Sequence, residues 1–153
     1  MKRWRLALIV GGVASMLALV AVGMPQVSPG NRYIRVPGRS DDLPYSNAVR
    51  AGDTLYLAGA IGVDPATGAP PAEIEQEVRN VLDNMKPRLE MVGMTMDDLV
   101  SVQVFCPDLS LYDRFNAVYR TYFKEHFPAR AFVGSGPLLR GGHFEVMGTA
   151  VKP

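Results

Sequence analysis

Two charged side chains, Arg130 and Glu145, lie inside otherwise apolar stretches near the end of the chain and are the first candidates for chemistry. An arginine offers a planar fork of N–H donors that binds a carboxylate through two parallel hydrogen bonds. A glutamate that is partly withdrawn from water can take a proton from a water molecule. Burying either charge without a partner of opposite charge costs free energy, so a buried position would indicate an ion pair or a functional role. The alternative is that both residues face solvent on half-exposed strands.

The stretches that carry these two residues are predicted to be β-strands. Residues 127–133 and 143–148 are apolar, rich in β-forming residues and bounded by proline or glycine. Pro128 favours an extended conformation at Phe127, which indicates where the first of these strands begins. The intervening residues 134–142 are rich in glycine and are predicted to form a loop. Each candidate residue is therefore expected near the end of a strand.

The preceding part of the chain predicts the rest of a two-layer domain. A helix with an apolar face begins near Ala72 and ends at Gly93, and Pro87 is expected to kink it or end it early. The elements in chain order are strands at 45–50 and 54–61 paired around the turn 51–53, the helix just described, a strand at 99–105, a helix at about 111–125 and the two final strands. This ββαβαββ order predicts an α+β domain with its helices on one face of a mixed sheet.

Composition limits the classes of function. The chain has 153 residues, of which 48% are hydrophobic and 20% charged, and this predicts one globular domain with a normal core. The net charge of +1 argues against nucleic acid as the main partner. Cys106 is the only cysteine, and His126 and His143 are the only histidines, which argues against a metal site. The chemistry must therefore use carboxylates, arginine, tyrosine, amides or backbone groups.

The first 24 residues have the layout of a targeting segment. Residues 1–5 are basic, and residues 6–24 contain no charge. This pattern predicts a signal peptide. The apolar run also approaches the length of about 20 residues that spans a bilayer, so a membrane anchor is the alternative. Either one places the domain outside the cytoplasm, in the periplasm, secreted or anchored. Residues 25–43 are predicted to be a linker, and 44–153 the folded domain.

Several stretches between Leu43 and Val151 match a known pattern in their order and spacing. They are Leu43-Pro44-Tyr45-Ser46, Ala58-Gly59-Ala60-Ile61-Gly62, Asp64-Pro65-Ala66-Thr67-Gly68, Phe115-Asn116-Ala117-Val118-Tyr119, Pro128-Ala129-Arg130 and Phe144-Glu145-Val146. Together they resemble the RidA/YjgF family of imine and enamine deaminases. The resemblance covers nearly the whole predicted domain.

The resemblance implies a chorismate-mutase-like fold and a homotrimer with clefts between neighbouring subunits. It also implies hydrolysis of 2-imino or 2-enamino acids, such as 2-iminobutanoate and 2-iminopropanoate, to 2-keto acids and ammonia, with no cofactor and no metal. Arg130 matches the arginine that grips the substrate carboxylate, and Glu145 matches the glutamate that orients or activates water. Tyr45, Gly59 and Asn116 match residues that line the cleft.

Three positions depart from the family pattern, and two other functions compete. Ala58 and Ala60 replace residues that are usually polar, and Phe132 stands where relatives often carry a smaller residue. These departures are expected to alter substrate preference. Some relatives lack the arginine and bind ligands without turnover, so a non-catalytic carboxylate-binding module is the main alternative. A ribonuclease activity is discounted because no basic stripe runs along the domain.

Overall fold

The computed structural model describes residues 30–38 and 43–152, and these form one six-stranded mixed sheet with helices packed on one face. The strands are β1 (Arg32–Ile34), β2 (Ala48–Ala51), β3 (Thr54–Ile61), β4 (Leu99–Cys106), β5 (Ala129–Gly134) and β6 (Glu145–Val151), and the helices are α1 (Ile74–Asp83), α2 (Lys86–Glu90) and α3 (Tyr112–Tyr119). The strand order is β1-β2-β3-β6-β4-β5, and only β4 and β5 run parallel. The predicted α+β fold is confirmed.

The core lies between this sheet and the helices. Side chains alternate between the two faces of a strand, so Val102, Val104 and Cys106 of β4 are buried while Gln103 is exposed. Phe115 of α3 and Leu82 of α1 are fully buried in the same core. The opposite face of the sheet exposes large apolar side chains, namely Tyr33, Tyr56, Val133, Met147 and Val151. The described chain therefore covers one face of its sheet and leaves the other open.

The predicted interruption at Pro87 is confirmed. Helix α1 ends at Asp83, and Pro87 lies in the first turn of α2, where a backbone N–H has no intrahelical partner to lose. Helix α3 is shorter than predicted. It ends at Tyr119 and is followed by a single 3-10 turn, after which Phe123 is already extended and its ring packs 4.8 Å from that of Tyr119. The helix ends early because the backbone turns at residues 120–123 toward the start of β5, and the packing of Phe123 on Tyr119 stabilises this turn.

The two final strands do not pair with each other. Strand β4 lies between them, so Val104 is the neighbour of Phe132 in β5 and of Val146 in β6. The glycine-rich loop therefore carries the chain across β4, and residue 141 adopts the positive φ of 70° that glycine tolerates. The predicted hairpin of β2 and β3 is confirmed, since Ala51 pairs with Thr54 across the turn.

The segment predicted to be a linker contributes to the sheet. Residues 32–34 form the edge strand β1, and Ile34 is 1% exposed in the core. Asn47 fixes this strand because its backbone N–H donates to the Ile34 carbonyl and its Oδ1 accepts from the Val36 N–H. The predicted targeting segment at residues 1–24 lies outside the described residues. Within the described ranges, no helix has the length and apolar character needed to cross a bilayer.

Candidate functional site

Arg130 lies on the helix side of the sheet. In the parallel ladder it is the partner of Val102, whose side chain points into the core, so the Arg130 side chain points the same way. Its Nη2 donates a hydrogen bond of 2.7 Å to Oδ1 of Asn116 on α3. A guanidinium has five N–H donors, and this bond uses one of them. The other donors leave Arg130 able to bind an anion.

Aromatic rings surround the guanidinium. Its Cζ lies 4.6 Å from the ring centre of Tyr119 and 5.7 Å from those of Tyr112 and Phe115. Each ring face attracts the cation, and together the rings hold its plane in place. Phe132, the predicted departure from the family, packs edge-on against Tyr112 at 5.0 Å and Phe115 at 5.4 Å. The Phe132 ring therefore contacts two of the rings that surround the guanidinium.

We call the surrounding depression the arginine cleft. It has a volume of about 390 Å³ and is lined by Tyr112, Asn116, Tyr119, Arg120, Phe127, Pro128 and Arg130. No carboxylate is among these lining residues. The cleft can therefore attract and orient an anion, but its own side chains include no group suited to take a proton from water.

Tyr119 is a lining residue that the sequence analysis did not single out. It is 5% exposed, its hydroxyl has no hydrogen-bond partner among the described residues, and burial raises its pKa to about 12. The hydroxyl therefore stays protonated at neutral pH. Tyr119 follows Asn116 by three positions on α3, and this spacing places the two side chains on one face of the helix. The spacing is the signal in the sequence that could have identified Tyr119 as a lining residue.

Glu145 lies on the opposite side of the sheet. It is the first residue of β6 and pairs with Ile61 of β3 and Phe105 of β4. An irregularity in β3 between Leu57 and Ala60 brings Gly59 beneath the Glu145 carboxylate. A Cβ atom added to Gly59 would overlap Oε1 of Glu145. Glycine is therefore required for the carboxylate to rest over the β3 backbone.

We call the depression around this carboxylate the glutamate cleft. It has a volume of about 650 Å³ and is lined by Leu43, Tyr45, Ala58, Gly59, Ala60, Ile61, Val63, Asn84, Leu139, Arg140 and Glu145. Tyr45 stands at this cleft with half of its surface exposed. Positions 58–60 carry only small residues, and all three line the cleft. This cleft combines a possible base with backbone groups and a tyrosine hydroxyl.

The five predicted site residues thus form two separate groups. Arg130 and Asn116 lie together in the arginine cleft, whereas Tyr45, Gly59 and Glu145 lie together in the glutamate cleft. The two groups are on opposite faces of the sheet, so one chain does not bring its arginine to its own glutamate. Within residues 30–38 and 43–152, no three His, Cys, Asp or Glu side chains converge in a way that could hold a metal ion.

Comparison with known proteins gives a consistent family. Residues 40–152 match the family model described as Endoribonuclease L-PSP. A RutC family protein of Pyrococcus horikoshii is 37% identical over 110 residues, which cover 71% of this chain and 87% of the relative. A protein of Escherichia coli named 2-iminobutanoate/2-iminopropanoate deaminase is 36% identical over 112 residues, which cover 71% and 88%.

Solved structures agree with these sequence relatives. The crystal structure of a putative endoribonuclease from Thermotoga maritima matches with a TM-score of 0.73 and 36% identity, and the match covers 80% of this chain and 98% of that one. The fold is therefore the chorismate-mutase-like α+β fold that the resemblance implied.

The prediction of a signal peptide and of periplasmic character is wrong. The family match begins at residue 40, and the Pyrococcus relative is covered over 87% of its length, which leaves little room in it for a corresponding leader. Neither the described residues nor these family matches show an export signal. The prediction rested only on a basic start followed by an apolar run. Segments that are not signal peptides can have the same composition. Membrane attachment through residues 6–24 stays an untested prediction.

Proposed function

Because the chain belongs to the RidA/YjgF family, the family that the endoribonuclease L-PSP model describes, we propose that it hydrolyses small 2-imino acids to 2-keto acids and ammonia. The observation that carries this proposal is the geometry of Arg130. Its guanidinium is held by Asn116 and by aromatic rings, and it retains donors for a substrate carboxylate. A 2-imino acid joins such a carboxylate to an electrophilic C=N carbon.

The proposed reaction needs only groups of this chain and water. Arg130 holds the carboxylate and so places the imine carbon at a fixed distance from a bound water. Glu145 takes a proton from that water while the oxygen of the water bonds to the imine carbon. Glu145 passes this proton to the nitrogen, which gives a tetrahedral carbinolamine. The hydroxyl group of that intermediate then gives up its proton, which Glu145 carries to the same nitrogen, the C–N bond breaks, and ammonia leaves as the hydroxyl becomes the carbonyl of the 2-keto acid. The reaction requires no oxidant and no reductant.

We further propose that this site forms between subunits of a trimer. Arg130 and Glu145 lie on opposite faces of one sheet, so a substrate that uses both must receive one of them from another copy. The open sheet face offers Tyr56, Val133 and Met147 for burial against neighbouring copies. Closed cyclic symmetry would satisfy this face in every copy. Light scattering of the purified chain tests the assembly, and a stable monomer at micromolar concentration contradicts it.

Mixing two inactive variants tests the shared site directly. Arg130→Ala and Glu145→Gln are unfolded together in denaturant at equal concentration and refolded. If the clefts meet across subunits and the chains assort at random, about a quarter of the sites combine an intact Arg130 with an intact Glu145. Activity should then return to about a quarter of the wild-type value. No recovery in trimers that are shown to be mixed would contradict a site between subunits.

The assay also separates turnover from binding. An amino-acid oxidase generates the imine, and semicarbazide competes with the protein for it. Acceleration of imine loss by the wild-type chain supports the deaminase function. The competing function is a carboxylate-binding module, which the same Arg130 geometry would serve. Binding of a 2-keto acid by calorimetry, without any acceleration of imine hydrolysis, would establish that alternative instead.

A further inference from the structure

A second glutamate, Glu77 of α1, is buried directly behind the strand that carries Glu145. Its side chain is 0% exposed. Oε1 accepts hydrogen bonds from the backbone N–H groups of His143 at 2.6 Å and Phe144 at 3.2 Å, and Oε2 lies 2.7 Å from Nδ1 of His143. These contacts join residues that are 66 and 67 positions apart in the sequence. We call this group of contacts the Glu77 latch.

The Glu77 carboxylate also contacts the imidazole. A carboxylate accepts hydrogen bonds, and the contact at 2.7 Å fits the tautomer in which Nδ1 of His143 carries the hydrogen. Three donors therefore converge on one buried carboxylate, which compensates for its removal from water. Replacing Glu77 with a side chain that cannot accept would leave two backbone N–H groups and one imidazole without their partner. All three contacts of the latch therefore depend on the acceptor oxygens of Glu77.

The latch lies next to the glutamate cleft in both sequence and space. His143 and Phe144 immediately precede Glu145, the first residue of β6. On the other side, a Cβ atom at Gly62 would overlap the backbone carbonyl oxygen of Glu77, so the end of β3 touches α1 at this residue. Gly59, three positions earlier, touches the Glu145 carboxylate. Both glutamates are thus located against residues 59–62, the end of β3 and the residue that follows it.

We propose that Glu77 is a positioning residue for turnover: by holding the backbone at His143 and Phe144, it sets where the Glu145 carboxylate stands over Gly59. This inference rests on the proposed function, because it assigns Glu145 the task of activating water. Misplacing a catalytic group by about 1 Å can cost about a hundredfold in rate. Arg130 is linked to the latch indirectly, through the ring of Phe115, whose centre lies 5.0 Å from that of Phe144 and 5.7 Å from the guanidinium carbon. The latch is therefore expected to act mainly on Glu145, which directly follows Phe144 in the chain.

The competing explanation is that Glu77 only stabilises the fold, and the variants are chosen to separate the two. Glu77→Met has a similar volume but no acceptor, so it breaks all three contacts. Glu77→Gln keeps a carbonyl oxygen for both backbone donors, and its amide can donate to Nδ1 in the other imidazole tautomer. Val81→Ala is the matched control, because Val81 is fully buried on the same helix and its apolar side chain takes no part in the hydrogen bonds of the latch. All are assayed at equal concentrations of folded protein.

We expect Glu77→Met to lower kcat by about ten- to a hundredfold, with KM within about threefold of the wild-type value. Glu77→Gln should restore kcat to within about threefold, and Val81→Ala should leave it unchanged although it also destabilises the fold. A wild-type kcat in folded Glu77→Met would overturn the proposal. Equal losses of kcat in Glu77→Met and Val81→Ala would overturn it as well.

Two additional measurements keep the test decisive. If Glu77→Met does not fold, His143→Ala takes its place, since it removes the imidazole contact and keeps both backbone contacts. We expect that variant to lower kcat about three- to tenfold, and an unchanged kcat would count against the latch.

If the wild-type chain itself does not hydrolyse imines, the proposed function fails separately. Hydrogen exchange at the amides of His143 and Phe144 then tests the latch itself: it should be faster in Glu77→Met than in Val81→Ala, and equal rates would overturn the latch.

Discussion

The arginine cleft and the glutamate cleft are built by different means. The arginine cleft is made of side chains: α3 and β5 supply the rings around Arg130, and Asn116 gives it one polar partner. In the glutamate cleft, an irregular stretch of β3 with small residues at positions 58–60 passes under Glu145, and larger side chains such as Tyr45 and Arg140 complete the lining. One cleft is suited to hold a charge, and the other is suited to admit a water molecule next to a carboxylate.

This difference predicts that the two clefts respond differently to substitution. A side-chain site loses function when the shape of one group changes, because its donors must point in fixed directions. A backbone site loses function when an added atom displaces the group above it. The two clefts on opposite faces of the sheet can therefore be damaged one at a time, and the following predictions use that separation.

The largest effect is expected from Arg130→Lys in the arginine cleft. Lysine keeps the charge but lacks the planar fork, so it cannot hold a carboxylate through two parallel bonds. We expect kcat/KM for 2-iminopropanoate to fall by about thirtyfold to several thousandfold, which corresponds to about 2–5 kcal/mol. Arg79→Lys, at an exposed position outside both clefts, serves as the control. Activity in Arg130→Lys equal to that of the control would remove the arginine cleft from the mechanism.

The next largest effect is expected from Gly59→Ala in the glutamate cleft. The new methyl group meets the flexible end of Glu145, so the carboxylate can move away and the fold should survive. We expect kcat to fall by about ten- to a hundredfold with little change in the melting temperature. At Gly62 the added methyl group would instead meet the backbone of Glu77, so Gly62→Ala should lower the melting temperature strongly. Equal stability losses in the two variants would contradict this distinction.

A smaller effect is expected from Tyr45→Phe. The Tyr45 side chain is half exposed at the glutamate cleft, so its hydroxyl can contribute one hydrogen bond to substrate or water without supporting the fold. Loss of one such neutral bond should lower kcat/KM by about two- to tenfold. Steady-state kinetics checks this value, and thermal unfolding should show no change. A loss as large as that of Arg130→Lys would mean that Tyr45 has a more direct role.

The smallest effect concerns an ion pair that joins α3 to α1, outside both clefts. Arg114 on α3 donates two hydrogen bonds of 2.7 Å to the Glu75 carboxylate on α1, and this pairing lowers the pKa of Glu75 to about 2. A depressed folded-state pKa stabilises the fold above the ordinary pKa of the carboxyl group, and the stabilisation is lost as the pH falls toward 2. Thermal unfolding of Glu75→Gln should therefore vary less between pH 5 and pH 2 than that of the wild type, while the exposed-site control Glu90→Gln should follow the wild type.

Sequence patterns were informative wherever the controlling physics is local. The period of two in residues 99–105 predicted β4, the turn at 51–53 predicted the hairpin, and Pro87 predicted the break between α1 and α2. The exact end of α3 was missed because the turn into β5 depends on packing of Phe123 against Tyr119. The edge strand β1 was missed because three residues are too few for a pattern, and its pairing with β2 gives it structure.

The sequence by itself determined which groups are available for chemistry: Arg130, Glu145 and their neighbours carry the motifs that match the family, and composition directs the chemistry away from metals. Only the tertiary structure decided where those groups stand. Strand β4 enters between β5 and β6, and its register directs Arg130 to one face and Glu145 to the other. The Glu77 latch likewise joins α1 to the start of β6 across more than 60 residues. The reason is that side chains alternate along a strand, so the sequence shows which residues share a face. Whether that face points to the helices or away from them depends on how the strand pairs with strands distant in the sequence.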